Sequence, residues 1–177
     1  MTCVGGEGMA SETLPVMVQS KISKLWVNHS RTVEEWRELG GYYWTTAAAT
    51  SQHLRLEGSG IVEYEVCRFS FGVRIHAHKV ESMITDRDHS RPWQPASAAP
   101  LLAFGVAYRT EQLIRPVVGL NAWVELASGA FYVYLHKTTI AHPTVRGVEL
   151  PKRTLHLQQR TFDWPEGTSF LAVRRAA

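Results

Sequence analysis

The stretch that decides the fold is residues 61–81, IVEYEVCRFSFGVRIHAHKVE. Apolar side chains first fall on even positions, as at Val62 and Val66, and from Phe69 onward they fall on odd positions. Because side chains of an extended chain alternate between two faces, this period of two predicts a β-strand. The change of phase at residues 67–68 predicts a β-bulge or a bend where the strand passes between two sheets.

Alternation of the same kind marks several other segments of the chain. Ser128-Gly129 separates two of them, which predicts a hairpin. Both faces of this hairpin carry bulky apolar groups, so protein must cover both, from the same chain or from a neighbouring one. The strands predicted outside 61–81 cover residues 42–50, 53–57, 101–110, 120–127, 130–137, 154–162 and 169–174.

One segment carries the signals of a short helix. Thr32 and Glu35 have the spacing of a capping box, and Gly40-Gly41 follows the apolar residues Val33 and Trp36. A capping box begins a helix and a glycine commonly ends one. The sequence therefore predicts one short helix near the N-terminus.

These elements predict an all-β, mainly antiparallel fold, a β-sandwich or a jelly-roll-like barrel with one short N-terminal helix. Strands do not alternate with long helices, which argues against a parallel α/β sheet. Residues 1–13 are predicted to be a flexible lead and residues 14–177 a single β-rich domain. Residues 83–100 contain three prolines and no period, which predicts a long loop.

The composition limits the class of protein. With 177 residues, 45% hydrophobic and 20% charged, the chain can bury a core of its own, which excludes wholesale disorder. No apolar run reaches the ~20 residues of a membrane-spanning helix, and the first residues lack a secretory signal. We therefore expect no membrane partner and a location in the cytoplasm or in a virion. Cys3 and Cys67 are the two cysteines, so no disulfide framework is expected.

The two halves of the chain differ in charge. Residues 1–88 hold nine Lys and Arg against eleven Asp and Glu, whereas residues 89–177 hold ten against five. A basic half can meet nucleic acid or an acidic neighbouring subunit. Because no run of four basic residues occurs, a nucleic-acid partner is possible but not favoured.

The best candidate for a reactive site is His76-Ala77-His78. Residues two apart on a strand point to the same face, so both imidazoles can reach one metal ion. Glu81 lies just beyond and completes a set of two histidines and a carboxylate, with positions left open for substrate. The alternative is that both histidines are polar residues on a solvent-exposed or subunit face.

An H-x-H pair followed by Glu on a strand is similar to the first metal motif of the cupins. The resemblance implies a metal-dependent enzyme with a divalent transition metal as cofactor, held by His76, His78 and Glu81. A cupin site also has a more distant third histidine. The candidates for it are His136, His142 and His156.

Aromatic residues are the candidates for contacts between subunits. Trp123, Tyr132 and Tyr134 flank the predicted hairpin, and Trp93 lies in the predicted loop. Such rings serve as a stacking platform for bases or sugars, as core, or as a contact with another chain. Core or subunit contact is the interpretation that fits a hairpin with two apolar faces.

The sequence favours a structural or assembly protein without a cofactor, a β-sandwich subunit of a larger oligomer such as a viral or phage capsid, tail or decoration component. The strand order with a long Pro-rich loop resembles a small viral jelly roll. We expect self-association or contact with other structural subunits. The first alternative is the cupin-like enzyme. A second is a barrel for a small apolar ligand, because residues 41–44, GYYW, are similar to the entry motif of the lipocalins.

Overall fold

A mixed sheet of nine strands forms the centre of the protein. The computed structural model describes residues 15–141, 143–144, 146–147 and 149–177, with only the backbone at 44–45, so the predicted flexible lead 1–13 lies outside it. The strands are β1 (Met17–Gln19), β2 (Ser23–Asn28), β3 (Trp44–Thr45), β4 (Ile61–Phe71), β5 (Ile75–His76), β6 (Gln94–Pro95), β7 (Val117–Leu126), β8 (Gly129–Ala141), β9 (Glu149–Gln159), β10 (Asp163–Trp164) and β11 (Ser169–Arg175). The helices are α1 (Val33–Gly40), α2 (Ala77–Thr85), α3 (Ala98–Ala107) and α4 (Glu111–Ile114).

The order of strands in this sheet is β1-β4-β11-β7-β8-β9-β3, with β2 also on β4 and β6 also on β11. The β11–β7 and β3–β9 pairs are parallel and the remaining pairs are antiparallel. Strands β5 and β10 form a separate two-stranded ribbon. The predicted all-β fold is confirmed in its coarser form, since the described residues are mostly β, but they form four helices and not one. The β-sandwich or jelly roll is not confirmed: the described strands form one large mixed sheet, with helices against it, and the two-stranded ribbon.

Apolar side chains cover both faces of the sheet. We call the core between the sheet and helices α1 and α3 the helix-side core, and the core on the opposite face, which includes α2 and the β5–β10 ribbon, the aromatic core. The helix-side core is largely aliphatic, with Leu102, Val124, Leu135, Leu155 and Leu171 among its buried members beside the rings of Trp36 and Phe104. The aromatic core is built largely from the rings of Phe69, Phe71, Trp93, Tyr132, Trp164 and Phe170.

Strand β4 explains the change of phase in the sequence. It runs unbroken from Ile61 to Phe71, and its register with β11 is regular throughout, so the prediction of a bulge in this strand is wrong. The strand instead has a different covered face at each end. Val66 belongs to the helix-side core, whereas Cys67 and Phe69 belong to the aromatic core.

An extra residue does occur at this level of the sheet, but in the neighbouring edge strand. Gln19 pairs with Phe69 and Ser23 with Val66, so three residues of the edge face two residues of β4. Ser20 fills the gap, since its backbone N–H donates to Arg68 and its hydroxyl oxygen accepts from the Arg68 N–H. This bulge reverses the in–out alternation between β1 and β2.

Residues 101–110, predicted to form a strand, lie mostly in helix α3. Eight residues of the segment Ala98–Ala107 are buried, from Ala98 to Gly105. A helix buried on all sides has no polar face, so its sequence carries no helical period. The alternation of Phe104, Val106 and Tyr108 therefore imitated a strand.

The last five residues of the stretch 61–81 are also helical. The chain turns into α2 at Ala77 and continues to Thr85. Helix α2, β6 and the start of α3 thus take up parts of the predicted 83–100 loop, while residues 86–93 form neither helix nor strand, as predicted. Val80 and Ile84 are one turn apart and fully buried in the aromatic core. None of the helices in the described ranges is long and apolar enough to cross a membrane.

The local signals of α1 and of the hairpin are confirmed. Thr32 and Glu35 form both hydrogen bonds of a capping box, and Gly41 ends the helix at φ 58°. The pairing of β7 with β8 extends as far as Leu126 and Gly129, which lie opposite each other. The connection between the two strands is therefore two residues long. Both hairpin faces pack against this chain itself, since Val124 lies in the helix-side core and Tyr132 in the aromatic core, although Trp123 opposite Tyr132 stays 42% exposed.

The sheet splits between β11 and β7. The two strands pair only at Ser169 with Val117 and at Phe170 with Val118. Beyond that point β6 pairs with β11, and Ser97 bridges to Asn121 of β7. Past Asn121, the outer edge of β7 has no strand neighbour among the residues that the structure describes.

Candidate functional site

The structure places the three predicted metal ligands at the start of a helix. His76 is the last residue of β5 and the N-cap of α2, and His78 lies inside α2. The prediction that both lie on one strand is therefore wrong. Glu81 is half-buried further along the helix. The described part of the chain contains no group of three His, Cys, Asp or Glu side chains that could hold a metal ion.

The two imidazoles nevertheless face each other. Their ring centroids are 4.6 Å apart, and the two Nδ1 atoms are 2.6 Å apart. His76 Nδ1 also accepts a hydrogen bond from the backbone N–H of His78, which assigns it as the acceptor and His78 Nδ1 as the donor. A metal ion bound between the two Nδ1 atoms would have to displace that shared proton. Metal binding by His76, His78 and Glu81 stays a prediction.

Two of the four aromatic candidates for subunit contact are buried. Trp93 and Tyr132 are each 3% exposed. The Arg174 guanidinium lies 4.3 Å from the Trp93 ring, and the Arg160 guanidinium 5.3 Å from the Tyr132 ring. These rings fill the aromatic core of their own chain, which is the first of the two alternatives, core or subunit contact.

The other two aromatic candidates reach the surface. Trp123 is 42% exposed, with the Arg160 guanidinium 5.2 Å from its ring. Tyr134 is half-buried and stacks on His156 at 5.5 Å between centroids. A subunit contact through Trp123 or Tyr134 stays a prediction.

Charges of the two halves of the sequence pair within the chain. Arg174 donates to Glu65 at 2.7 Å and to Asp88 at 2.8 Å, and Arg91 lies 3.6 Å from Glu65. The hydrogen bond from Arg174 lowers the pKa of Glu65. The pKa of Asp88 is lowered to about 2, and the largest cause is the hydrogen bond that the Ser90 hydroxyl donates to this carboxylate. Part of the basic charge of the second half is thus neutralised by the first half.

Cys67 has the environment of a structural residue. Its side chain is 2% exposed and lies in the aromatic core. Burial raises the pKa of the thiol to about 12, so the nucleophilic thiolate is not formed at neutral pH.

A cluster of rings brings two histidines together on adjacent strands. Tyr134 of β8 lies directly opposite His156 of β9, and His136 is 5.9 Å from the His156 ring. Burial lowers the pKa of both imidazoles, so both are neutral at pH 7. Both histidines are candidates for the distant third ligand in the sequence. Their proximity could not be predicted, because it depends on how β8 pairs with β9.

Exposed apolar residues collect along the β1–β2 edge of the sheet. We define the edge surface as the exposed apolar side chains of β1, of β2, of the residues next to these two strands, and of the start of β4. Trp26 is 63% exposed, and it lies on the same face as Ile61 at 66%. The edge surface comprises Val16, Val18, Ile22, Trp26 and Ile61.

A cleft of about 530 Å³ lies beside the split in the sheet. One wall is the free part of β7, with Asn121, Trp123 and Glu125, and the other is the segment 52–57, with Arg55 and Glu57. Ligand sites commonly form in crevices where neighbouring parallel strands separate. The residues that line this cleft are polar or charged, apart from Trp123.

The segment 53–57 was predicted to be a strand. It alternates exposed and less exposed residues, with Leu54 and Leu56 against the helix-side core. It has no strand partner in the described part of the chain. It therefore faces the free edge of β7 across the cleft without pairing to it.

Comparison with protein-family models, with curated proteins and with solved structures finds no match for this chain. The function is therefore argued from geometry alone.

Proposed function

We propose that the chain is a structural or assembly protein, a subunit that joins copies of itself in a larger oligomer such as a viral or phage capsid, tail or decoration component. The observation that carries the proposal is the edge surface. A monomer gains nothing from holding a tryptophan and several aliphatic side chains in water at one edge of its sheet, whereas an interface buries them.

Both faces of this edge carry apolar groups. The bulge opposite β4 places Val18 on the helix-side face and Trp26 on the other face. A neighbouring strand that extends the sheet would cover both sets at once, because its own side chains alternate in the same way. The edge surface is therefore suited to a partner that continues the sheet.

The backbone of β2 offers a limited number of hydrogen bonds to such a partner. His29 donates to Gly60 of the loop before β4, and by alternation Leu25 and Val27 also bond toward β4. The N–H and C=O of Trp26 then point outward. The Tyr108 hydroxyl donates to the carbonyl of Lys24, which closes one outward position. Side-chain burial at Trp26 would thus contribute more than strand pairing.

Two features that favoured assembly in the sequence no longer support it. The β7–β8 hairpin packs on both faces mostly against its own chain, and the opposite charges of the two halves partly meet within the chain. The jelly-roll resemblance stays a prediction, and the proposal does not depend on it. The support is the edge surface alone.

The test is the mass of the protein in solution by size-exclusion chromatography with light scattering. We expect a multiple of the 19.9 kDa chain mass. Trp26→Lys should weaken association by at least about tenfold, because tryptophans in interfaces are often hot spots. Tyr43→Lys is the matched control, since Tyr43 is 59% exposed beside β3 at the opposite end of the sheet.

A monomer at all concentrations, or equal effects of the two substitutions, would overturn the proposal. Elemental analysis of the same sample tests the metal-dependent alternative. A monomer with one transition metal per chain, lost in His76→Ala, would favour the cupin-like enzyme instead.

A further inference from the structure

We propose that the cleft beside the split sheet binds an extended peptide segment of a partner protein, which adds a strand to the free edge of β7. The inference goes beyond the proposed self-assembly, because the cleft lies on β7 and the edge surface lies on β1, β2 and the start of β4.

The first argument is the unused backbone of β7. The hairpin closes with Leu126 opposite Gly129, and Val124 lies opposite Phe131. In a two-residue hairpin these are the hydrogen-bonded pairs, so the N–H and C=O groups of Trp123 and Glu125 point to the other edge. Trp123 and Glu125 thus offer two backbone N–H and two C=O groups along one edge. An added strand forms its hydrogen bonds with such groups.

The second argument is that none of the residues that the structure describes fills this edge. Ser97 bridges to Asn121, and the Asn121 N–H donates to Ala96, but the chain then turns away into α3. Across the cleft, Arg55 and Glu57 belong to a segment that has no strand partner in the described ranges. An extended peptide fits along the straight free edge of β7 better than a compact ligand does.

The third argument concerns the side chains that the peptide would meet. Trp123 and Glu125 are two apart on one face of β7, and both line the cleft. Residues opposite each other across a strand pair interact, and unlike charges there are favourable. A peptide residue opposite Glu125 is therefore expected to be basic, and the residue opposite Trp123 to be apolar. The ligand class is an extended segment with an apolar and a basic residue two positions apart.

The probe is a pool of blocked synthetic heptapeptides with threonine at most positions. Two positions, two residues apart, are varied among Val, Leu, Lys and Glu. Binding is followed by backbone amide shifts of isotope-labelled protein, in a Trp26→Lys background if the wild type self-associates. We expect peptides with one apolar and one Lys residue to bind, with the largest shifts at Trp123 and Glu125.

Two controls separate strand addition from adsorption. Methylation of the peptide backbone nitrogens that face β7 should abolish binding, because it removes the hydrogen bonds without changing any side chain. In the Glu125→Lys variant the preferred peptide residue should change from Lys to Glu. The ratio of the two peptide affinities should change by about fivefold, which corresponds to the energy of one cross-strand charge pair. Glu149→Lys, an equally exposed carboxylate on β9, should leave the preference unchanged.

The inference is overturned if no peptide of the pool shifts the β7 amides at millimolar concentration. It is also overturned if the methylated peptide binds as well as its parent. Neither result bears on self-association, which is read from the mass of the protein without peptide.

Discussion

The two faces of the sheet are filled in different ways. On the helix-side face, α3 presents mostly small and aliphatic residues, with Phe104 as its one buried ring, and aliphatic residues of the sheet fit closely against them. On the other face large rings meet edge to face, as Phe71 and Phe170 do at 5.9 Å and Trp164 and Phe170 at 6.2 Å. The helix-side core thus depends on close fit, and the aromatic core depends on large buried area.

The comparison predicts opposite sensitivities. Removing atoms should be most costly where each side chain contributes a large area, in the aromatic core. Adding atoms should be most costly where the elements approach closely, in the helix-side core.

The largest effect is expected for Phe170→Ala. Phe170 is 1% exposed and contacts the rings of Phe71 and Trp164, so its loss leaves a cavity in the aromatic core. We expect the free energy of unfolding to fall by about 3–5 kcal/mol, measured by urea denaturation. Phe162→Ala is the control, because Phe162 also contacts Trp164 but is 39% exposed. A loss of similar size in both variants would contradict the role of buried area.

The next effect is expected for Gly105→Ala in α3. A methyl group there would lie 2.2 Å from the Tyr42 hydroxyl oxygen and 2.8 Å from Leu135 Cδ1. The Tyr42 ring cannot easily move, because it is also packed closely against Gly40. Although alanine favours helix, we expect the free energy of unfolding to fall by about 1–3 kcal/mol from overpacking.

The control for this substitution is Gly72→Ala, since a methyl group there meets nothing within 4 Å. Removing the Tyr42 hydroxyl in Tyr42→Phe should recover part of the loss in the Gly105→Ala background. Equal losses at Gly105 and Gly72 would show that the helix-side core tolerates added atoms.

The smallest effect is expected for the dependence of stability on pH, through two histidines at the margin of the aromatic core. Burial holds the pKa of His136 and His156 below the ordinary 6.5, so the unfolded chain takes up protons first as the pH falls. We expect stability to be constant above pH 6.5 and to decrease as the pH falls from 6.5 through the pKa values of the folded protein. Urea denaturation between pH 7.5 and 5 measures this decrease.

The double variant His136→Gln/His156→Gln should remove the decrease in this range. His53→Gln, at an exposed histidine, should not. Loss of stability below pH ~4.5 should remain in all variants, because the lowered pKa values of Glu65 and Asp88 give stability that disappears when these carboxylates are protonated. An unchanged slope in the double variant would exclude the two histidines as its source.

Much of the fold could be predicted where local chemistry is decisive. The capping box of Thr32 and Glu35, the hairpin after Leu126, and strands β4, β9 and β11 all follow from residue spacing. Helix α3 could not be predicted, because a segment buried on all sides shows no period. Helix α2 was missed because His76-Ala77-His78 fits both a strand and a helix start.

Some of the candidate sites could also be predicted from the sequence, and others could not. His76 and His78 were expected to lie close together, and they do, although on a helix start instead of a strand. The cleft could not be predicted, because Trp123 and Glu125 face the segment 52–57 only where the sheet splits. The edge surface also depends on which strand is left at the end of the sheet.

The sequence by itself determined that the chain is mostly β, where its main strands and first helix lie, and which residues are apolar. These are local properties, set by alternation, capping and turn chemistry within a few residues. Only the tertiary structure decided which face of β4 is covered at each end, where β11 and β7 separate, and which apolar residues remain in water. Those features depend on pairings between residues far apart in the chain, and spacing along the chain does not record them.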